Sequence, residues 1–83
     1  MIALKDILYK VTLNAVVGNT SINIHAVNFD SRKVENNHLF VAIRGLVADG
    51  HDYIDTAIKN GATSVVCESL PKKLDDSVTY VEV

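Results

Sequence analysis

The sequence contains 83 residues, of which 48% are hydrophobic and 22% charged, and its formal net charge is −2. This length is typical of one domain with a modest core, and the slightly acidic charge gives no reason to expect nucleic acid or a membrane as a partner. No apolar run approaches the roughly 20 residues that cross a bilayer, and no basic and then apolar secretory signal opens the chain.

The first third of the chain alternates between a short helix and extended segments. A short amphipathic helix is predicted by apolar residues at helical spacing, at Leu4, Ile7, Leu8 and Val11. Val16-Val17 indicates a brief strand, and the alternation of apolar with polar residues over 22–26 predicts a half-buried strand. Because this alternation changes phase at Val27, we expect a bulge or a bend near Ala26.

The second half of the chain has the pattern of a β-α-β unit. Residues 39–43 form a continuous apolar run, which is typical of a strand covered on both faces. A helix is predicted over residues 52–60, with Gly61 placed to end it, and residues 64–67 and 78–83 read as two further strands. These elements predict an α/β fold whose mixed sheet contains one β-α-β unit and is flanked by helices.

Two polar clusters follow strands of this predicted sheet. Asp30-Ser31-Arg32 comes after the first extended segment, and residues 45–51, Gly-Leu-Val-Ala-Asp-Gly-His, come after the strand at residues 39–43. Ligands of α/β sheets usually sit beyond the carboxyl ends of the strands. If the two strands are parallel, both clusters lie at one edge of the sheet and predict a binding site there.

The residue types in these clusters leave binding and purely structural roles open. Ser31 offers one hydrogen bond and Arg32 a charged partner for phosphate, but Asp30 and Ser31 are equally suited to satisfying a local turn. The glycines of residues 45–51 allow a close approach of the backbone to a ligand. In the structural alternative, this segment is a connecting loop in which Asp49 caps the following helix.

The sequence shows no evident catalytic or metal-binding group. His25, His38 and His51 lack the spacing of metal ligands; His25 is expected at the surface, and His51 is placed either to contact a ligand or to cap a helix. Cys67, the only cysteine, is predicted to be a small core residue. Since there is no Gly-Lys-Ser/Thr loop and no base beside Ser31, the chain has binding groups without catalytic ones.

These segments resemble the N-terminal domain of the Mur ligases, and most closely the type that adds the third residue to the peptide of bacterial cell-wall precursors. The resemblance spans about residues 22–83 and rests on a set of short motifs. They are Asp30-Ser31-Arg32-Lys33-Val34, Leu39-Phe40-Val41-Ala42, Gly45, Asp49-Gly50-His51, Tyr53-Ile54, Ala57, Gly61-Ala62 and Val65-Val66. Each motif is weak alone, whereas the set in this order is specific.

The resemblance implies that the chain, as one domain over residues 1–83, binds the UDP end of UDP-N-acetylmuramoyl-L-alanyl-D-glutamate. By position, the residues that match contacts to this precursor are Phe29, Ser31, Leu46, Val47 and Ala48. The family often has polar residues at the first two of the three loop positions, so contact there is expected through the backbone or apolar packing. Arg32 as a partner of the phosphates is inferred from its charge rather than from the resemblance.

The resemblance also implies a larger enzyme. Ligases of this type join the precursor to meso-diaminopimelate, or in some bacteria to lysine, with ATP and Mg²⁺ in the cytoplasm. The ATP, magnesium and amino-acid sites belong to the central and C-terminal domains, so we expect this chain to need no cofactor and to be inactive alone. Since the sequence stops within the strand at residues 78–83, we expect it to be part of a longer three-domain ligase whose other domains are its partners.

Two other assignments remain open. The ligase that adds D-alanyl-D-alanine to the tripeptide shares Asp-Ser-Arg, the Phe-Ala strand and Asp-Gly-His. The compact loop at residues 33–38 and the run Leu39-Phe40-Val41-Ala42-Ile43-Arg44-Gly45 favour the diamino-acid ligase. The second alternative is a non-catalytic module that binds a UDP-sugar or another protein.

Overall fold

The computed structural model describes residues 2–44 and 49–83, and the elements in them are short. In chain order they are β1 (Ile2–Ala3), α1 (Leu4–Ile7), β2 (Ala15–Val17), β3 (Asn23–Ile24), β4 (Ala26–Asn28), β5 (His38–Val41), α2 (Ile54–Lys59), β6 (Ser64–Cys67) and β7 (Thr79–Glu82). Short 3-10 helices at Ser31–Lys33 and Gly50–Tyr53 precede β5 and α2. Among these described segments, no helix is both long and apolar enough to cross a membrane.

A five-stranded sheet in the order β2-β7-β6-β5-β4 forms the centre of the molecule. The strands β4 to β7 run parallel to one another, whereas β2 is antiparallel to β7 at one edge. α2 connects β5 to β6, which lie side by side with Leu39 opposite Ser64, so the predicted β-α-β unit and mixed sheet are confirmed. β1 and β3 form a separate antiparallel pair.

Apolar side chains cover both faces of the sheet. One core lies between α2 and the sheet, and its largest members are Phe40, Ile54, Val65 and Tyr80. The other lies between α1 and the opposite face and contains Leu4, Leu8, Ile24, Leu39 and Val81. Since neighbouring residues of a strand point to opposite faces, Leu39 and Phe40 belong to different cores, as expected of a strand covered on both sides.

The first half of the chain differs from the sequence prediction at the end of its helix. Val11 is 44% exposed rather than part of the buried stripe, because α1 already ends at Ile7 and the chain then turns through Lys10, whose φ is 67°. The bend predicted near Ala26 is confirmed. His25 separates β3 from β4, and the two strands pair in different sheets.

The second half differs at the end of β5 and at the start of α2. Ile43 is 49% exposed because β5 ends at Val41, after which the backbone oxygen of Ile43 accepts a hydrogen bond from the N–H of Gly50. The helix predicted over residues 52–60 begins as the 3-10 helix Gly50–Tyr53 and is α-helical only over Ile54–Lys59.

Candidate functional site

A cleft of about 660 Å³ opens at the carboxyl edge of the sheet, where β4 and β5 end. It is lined by Phe29, Asp30, Ser31, Arg32, Phe40, Ile43, Gly50, Tyr53 and Thr56. β4 and β5 are parallel, so the sequence expectation that both polar clusters share one edge is confirmed for their described residues. The cleft contains Phe29, Ser31 and Arg32, and the role of these three residues in binding stays a prediction.

The turn at the start of the cleft is held by a bidentate ion pair. The Asp30 carboxylate accepts hydrogen bonds from Arg32 Nε at 3.1 Å and Nη2 at 2.9 Å, and also from the Arg32 backbone N–H at 3.0 Å. These bonds, the side-chain ones foremost, lower the pKa of Asp30 from 3.8 to about 2. Asp30 therefore has the local structural role that the sequence left open, while the side chain of Arg32 remains 85% exposed.

Ser31 is held from outside its own turn. It is 6% exposed, and its carbonyl oxygen accepts a hydrogen bond from Asn60 Nδ2 at 2.9 Å. Asn28 brackets the same turn, because its Oδ1 accepts from the Asp30 N–H and its Nδ2 donates to the Lys33 carbonyl oxygen. No sequence pattern predicts either asparagine as part of the site, since neither belongs to an apolar stripe or a recognised motif.

The residues on either side of positions 45–48 pair with each other. The Gly50 N–H donates to the Ile43 carbonyl oxygen at 2.7 Å, and Arg44 forms an antiparallel bridge with Asp49. A Cβ on Gly50 would lie 2.7 Å from the Ile43 nitrogen, so this close approach of two backbones requires glycine. The predicted contacts Leu46, Val47 and Ala48 lie outside the described residues.

His51 connects this loop to the end of β6. Its Nδ1 lies 2.6 Å from Asp49 Oδ1, and its Nε2 accepts a hydrogen bond from the Glu68 backbone N–H at 3.0 Å. Since Nε2 accepts this bond, Nδ1 is the ring nitrogen that can donate to Asp49. Asp49 caps the 3-10 helix, as the structural alternative predicts, since its carboxylate also accepts a hydrogen bond from the His51 backbone N–H. This bond is the largest cause of the lowered pKa of Asp49. His51 therefore bridges two loops rather than capping the helix.

Large apolar side chains surround Ser31 and Arg32. Phe29 is 64% exposed, Ile43 49% and Tyr53 46%, and all three line the cleft. Exposed apolar walls beside a serine and an arginine suit a ligand that combines a flat ring with anionic groups. Ile43 and Tyr53 are not among the predicted site residues, because an apolar run and the first turn of a predicted helix carry no binding pattern.

The remaining candidate groups lie away from this cleft. His25 is exposed, as predicted. Cys67 is 1% exposed, and burial raises the pKa of its thiol, which confirms it as a core residue. Within residues 2–44 and 49–83, no group of three or more His, Cys, Asp or Glu side chains is arranged to hold a metal ion.

The chain is similar in sequence to one protein family and to ligases within it. The family described as Mur ligase family, catalytic domain, matches residues 23–81. The UDP-N-acetylmuramoyl-L-alanyl-D-glutamate–2,6-diaminopimelate ligase of Phocaeicola vulgatus is 46% identical over 80 residues, which cover 96% of this chain and 16% of that protein. The corresponding ligase of Cytophaga hutchinsonii is 51% identical over 69 residues, 83% of this chain and 14% of its own length. The chain thus spans about a sixth of the curated relatives it matches.

Solved structures share the fold. The MurF ligase of Thermotoga maritima in complex with ADP superposes with a TM-score of 0.62 at 33% identity, covering 70% of this chain and 13% of that one. The UDP-N-acetylmuramoylalanyl-D-glutamyl-2,6-diaminopimelate–D-alanyl-D-alanyl ligase of Acinetobacter baumannii gives a TM-score of 0.63 at 23% identity, over 72% of this chain and 13% of its own. At that identity the second likeness establishes the α/β fold alone.

Proposed function

The chain belongs to the Mur ligase family, and we propose that it binds the UDP end of UDP-N-acetylmuramoyl-L-alanyl-D-glutamate as the N-terminal domain of a longer ligase. That ligase adds 2,6-diaminopimelate to the precursor during peptidoglycan synthesis in the bacterial cytoplasm. The observation that carries the proposal is the cleft in which Ser31, Arg32 and exposed Phe29 meet. The names of the curated relatives support the choice of precursor and of amino acid.

The groups in the cleft match the chemistry of a nucleoside diphosphate. Phe29 and Tyr53 offer aromatic faces on which a uracil ring can stack, and Ser31 offers a hydrogen bond. Arg32 uses Nε and Nη2 for Asp30, so its other N–H groups are the ones free to meet a phosphate. Leu46, Val47 and Ala48 lie outside the described residues and belong to the proposal by sequence position only.

This chain supplies binding rather than chemistry in the proposed ligase. ATP provides the energy for amide-bond formation in such an enzyme and is expected to require Mg²⁺. The residues present do not fit either group, because the sequence has no Gly-Lys-Ser/Thr loop and the described residues hold no metal-binding cluster. We therefore assign the sites for ATP, Mg²⁺ and the amino-acid acceptor to the rest of the polypeptide. The relatives are long enough to contain such sites, since this chain matches only 16% of the Phocaeicola vulgatus ligase.

A second candidate is the ligase that adds D-alanyl-D-alanine. The solved structures named above belong to that type, and the Thermotoga maritima protein is 33% identical to this chain. The higher identities to ligases named for 2,6-diaminopimelate favour the first candidate. An assay of ATP consumption by the full-length polypeptide would distinguish the two candidates. Only one of the acceptors, 2,6-diaminopimelate or D-alanyl-D-alanine, should support ATP consumption when each is supplied with its matching precursor.

Titration of the isotope-labelled chain with UDP-N-acetylmuramoyl-L-alanyl-D-glutamate, followed by NMR, tests the proposed function. We expect shifts at the amides of Phe29, Ser31 and Arg32, with weak affinity because the rest of the ligand's partners are missing. Ser31→Ala should reduce the affinity, whereas Ser21→Ala, at an exposed serine outside the cleft, should leave it unchanged.

Two outcomes would contradict the proposal. One is the absence of any shift around Ser31 at millimolar ligand. The other is an equal response to N-acetylmuramoyl-L-alanyl-D-glutamate without the nucleotide, because the cleft would then bind the sugar or peptide instead of UDP.

A further inference from the structure

The C-terminal end of α2 is joined to the segment that carries Ser31. The Asn60 side chain, directly after α2, donates from Nδ2 to the Ser31 carbonyl oxygen at 2.9 Å. One residue later, the Gly61 carbonyl oxygen accepts from the Asn37 N–H at 3.0 Å. These two bonds lie at the two ends of residues 31–37, so Asn60 holds one end of this segment and Gly61 holds the other.

The Ser31 turn is short, and the Asn60 bond adds to the support that it receives from Asp30 and Asn28. Its 3-10 helix covers only Ser31–Lys33, and 3-10 geometry makes weak hydrogen bonds. Within the turn, the Ser31 carbonyl oxygen accepts only a long bond, 3.4 Å, from the Val34 N–H. The shorter bond from Asn60 therefore fixes the orientation of the Ser31 peptide group, and with it the place of Ser31 in the cleft wall.

We propose that Asn60 is a positioning residue for nucleotide binding. It touches no ligand itself; it holds the Ser31 turn in its binding conformation before the ligand arrives, so that less ordering is required on binding. This inference rests on the proposed function, and it adds a residue that is absent from the lining of the cleft. Ile58 provides a matched control, since it lies in α2 two residues before Asn60 and packs against the core.

NMR titration with UDP of the labelled wild type, Asn60→Ala and Ile58→Val tests the inference. In Asn60→Ala, the carbonyl carbon of Ser31 should shift and UDP affinity should fall by about fivefold, the effect of one lost neutral hydrogen bond. Ile58→Val should change neither, although it removes packing from α2. Asn60→Asp keeps the size of the side chain but replaces the donor with an acceptor, and it should weaken UDP binding at least as much as Asn60→Ala. This variant carries the test if the alanine variant folds poorly.

The outcomes separate the two proposals. Equal UDP affinity in the wild type and in both Asn60 variants overturns the positioning role and leaves the proposed function standing. A loss of affinity in Ile58→Val as large as in Asn60→Ala also overturns it, because general destabilisation would then explain both. No binding of UDP to the wild type overturns the proposed function and this inference together.

Discussion

Replacing Gly61 with alanine should remove a large part of the stability of this domain. Gly61 has φ of 121°, a conformation that side chains disfavour, and a Cβ there would lie 2.8 Å from both the nitrogen and the Cα of Asn36. The backbone strain costs about 1–3 kcal/mol, and the crowding about 1–3 kcal/mol more. The sum, about 2–6 kcal/mol, is substantial beside the roughly 5–15 kcal/mol that stabilises a typical protein.

Thermal unfolding followed by far-ultraviolet circular dichroism measures this loss. At about 4–8 °C per kcal/mol for a domain of this size, the Tm of Gly61→Ala should fall by about 10 °C or more. The Asn36 side-chain oxygen would lie 2.5 Å from the new Cβ, but a side-chain end can move whereas the backbone atoms cannot. Asn36→Ala should therefore fail to restore stability when combined with Gly61→Ala.

Two results would refute this reasoning. A Tm of Gly61→Ala within about 4 °C of the wild type would mean that the strain and crowding together cost less than about 1 kcal/mol. Recovery of most of the lost Tm in the double variant, corrected for Asn36→Ala alone, would mean that the side chain rather than the backbone causes the clash.

Two further predictions concern single polar groups. Ser64 is fully buried and its hydroxyl finds no hydrogen-bond partner among the described residues, so Ser64→Ala should raise stability by about 1 kcal/mol in urea denaturation; a clear loss would contradict this. The Asp30 pKa is lowered from 3.8 to about 2 in the folded chain, so the stability contributed by its ionised form is present above about pH 4 and is lost as pH falls through 2. A carbon-13 titration of the carboxyl group should show this pKa and its return towards 3.8 in Arg32→Ala, whereas an unchanged pKa in that variant would exclude the ion pair as its cause.

The main elements follow from short-range patterns, which explains why they were predictable. The β-α-β unit shows as apolar runs separated by a helical stripe and Gly61, and each of these signals lies within a few residues. Element ends were less predictable. Val11 continues the helical spacing, yet the chain turns before it, and Ile43 continues an apolar run but lies beyond the last strand residue. In both cases the backbone hydrogen bonds, rather than side-chain polarity, determine where the element ends.

The candidate site was predictable only where its residues share a motif. Asp30-Ser31-Arg32 is continuous in the sequence, and parallel strands place it beside the second loop. Ile43 and Tyr53 also stand in quoted motifs, but an apolar run and the start of a helix do not mark them as walls of a cleft. The residue types suggest separate roles for Asp30, in a turn, and Arg32, with a phosphate, whereas the structure pairs the two side chains with each other. Two nitrogens of the guanidinium group therefore already face a carboxylate.

The class of fold and the motif set of the family follow from the sequence alone, because local periodicity and short motifs are enough to recognise them. The sequence also indicates the edge of the sheet at which the two polar clusters meet, because that depends on strand direction. The contact of Asn60 with the Ser31 carbonyl oxygen and that of His51 with the Glu68 backbone arise only from the packing of the folded chain. The first of these hydrogen bonds joins two residues that are 29 positions apart, and the second joins two that are 17 positions apart. A single polar side chain leaves no periodic signal, and its partner is known only once packing has brought the two segments together.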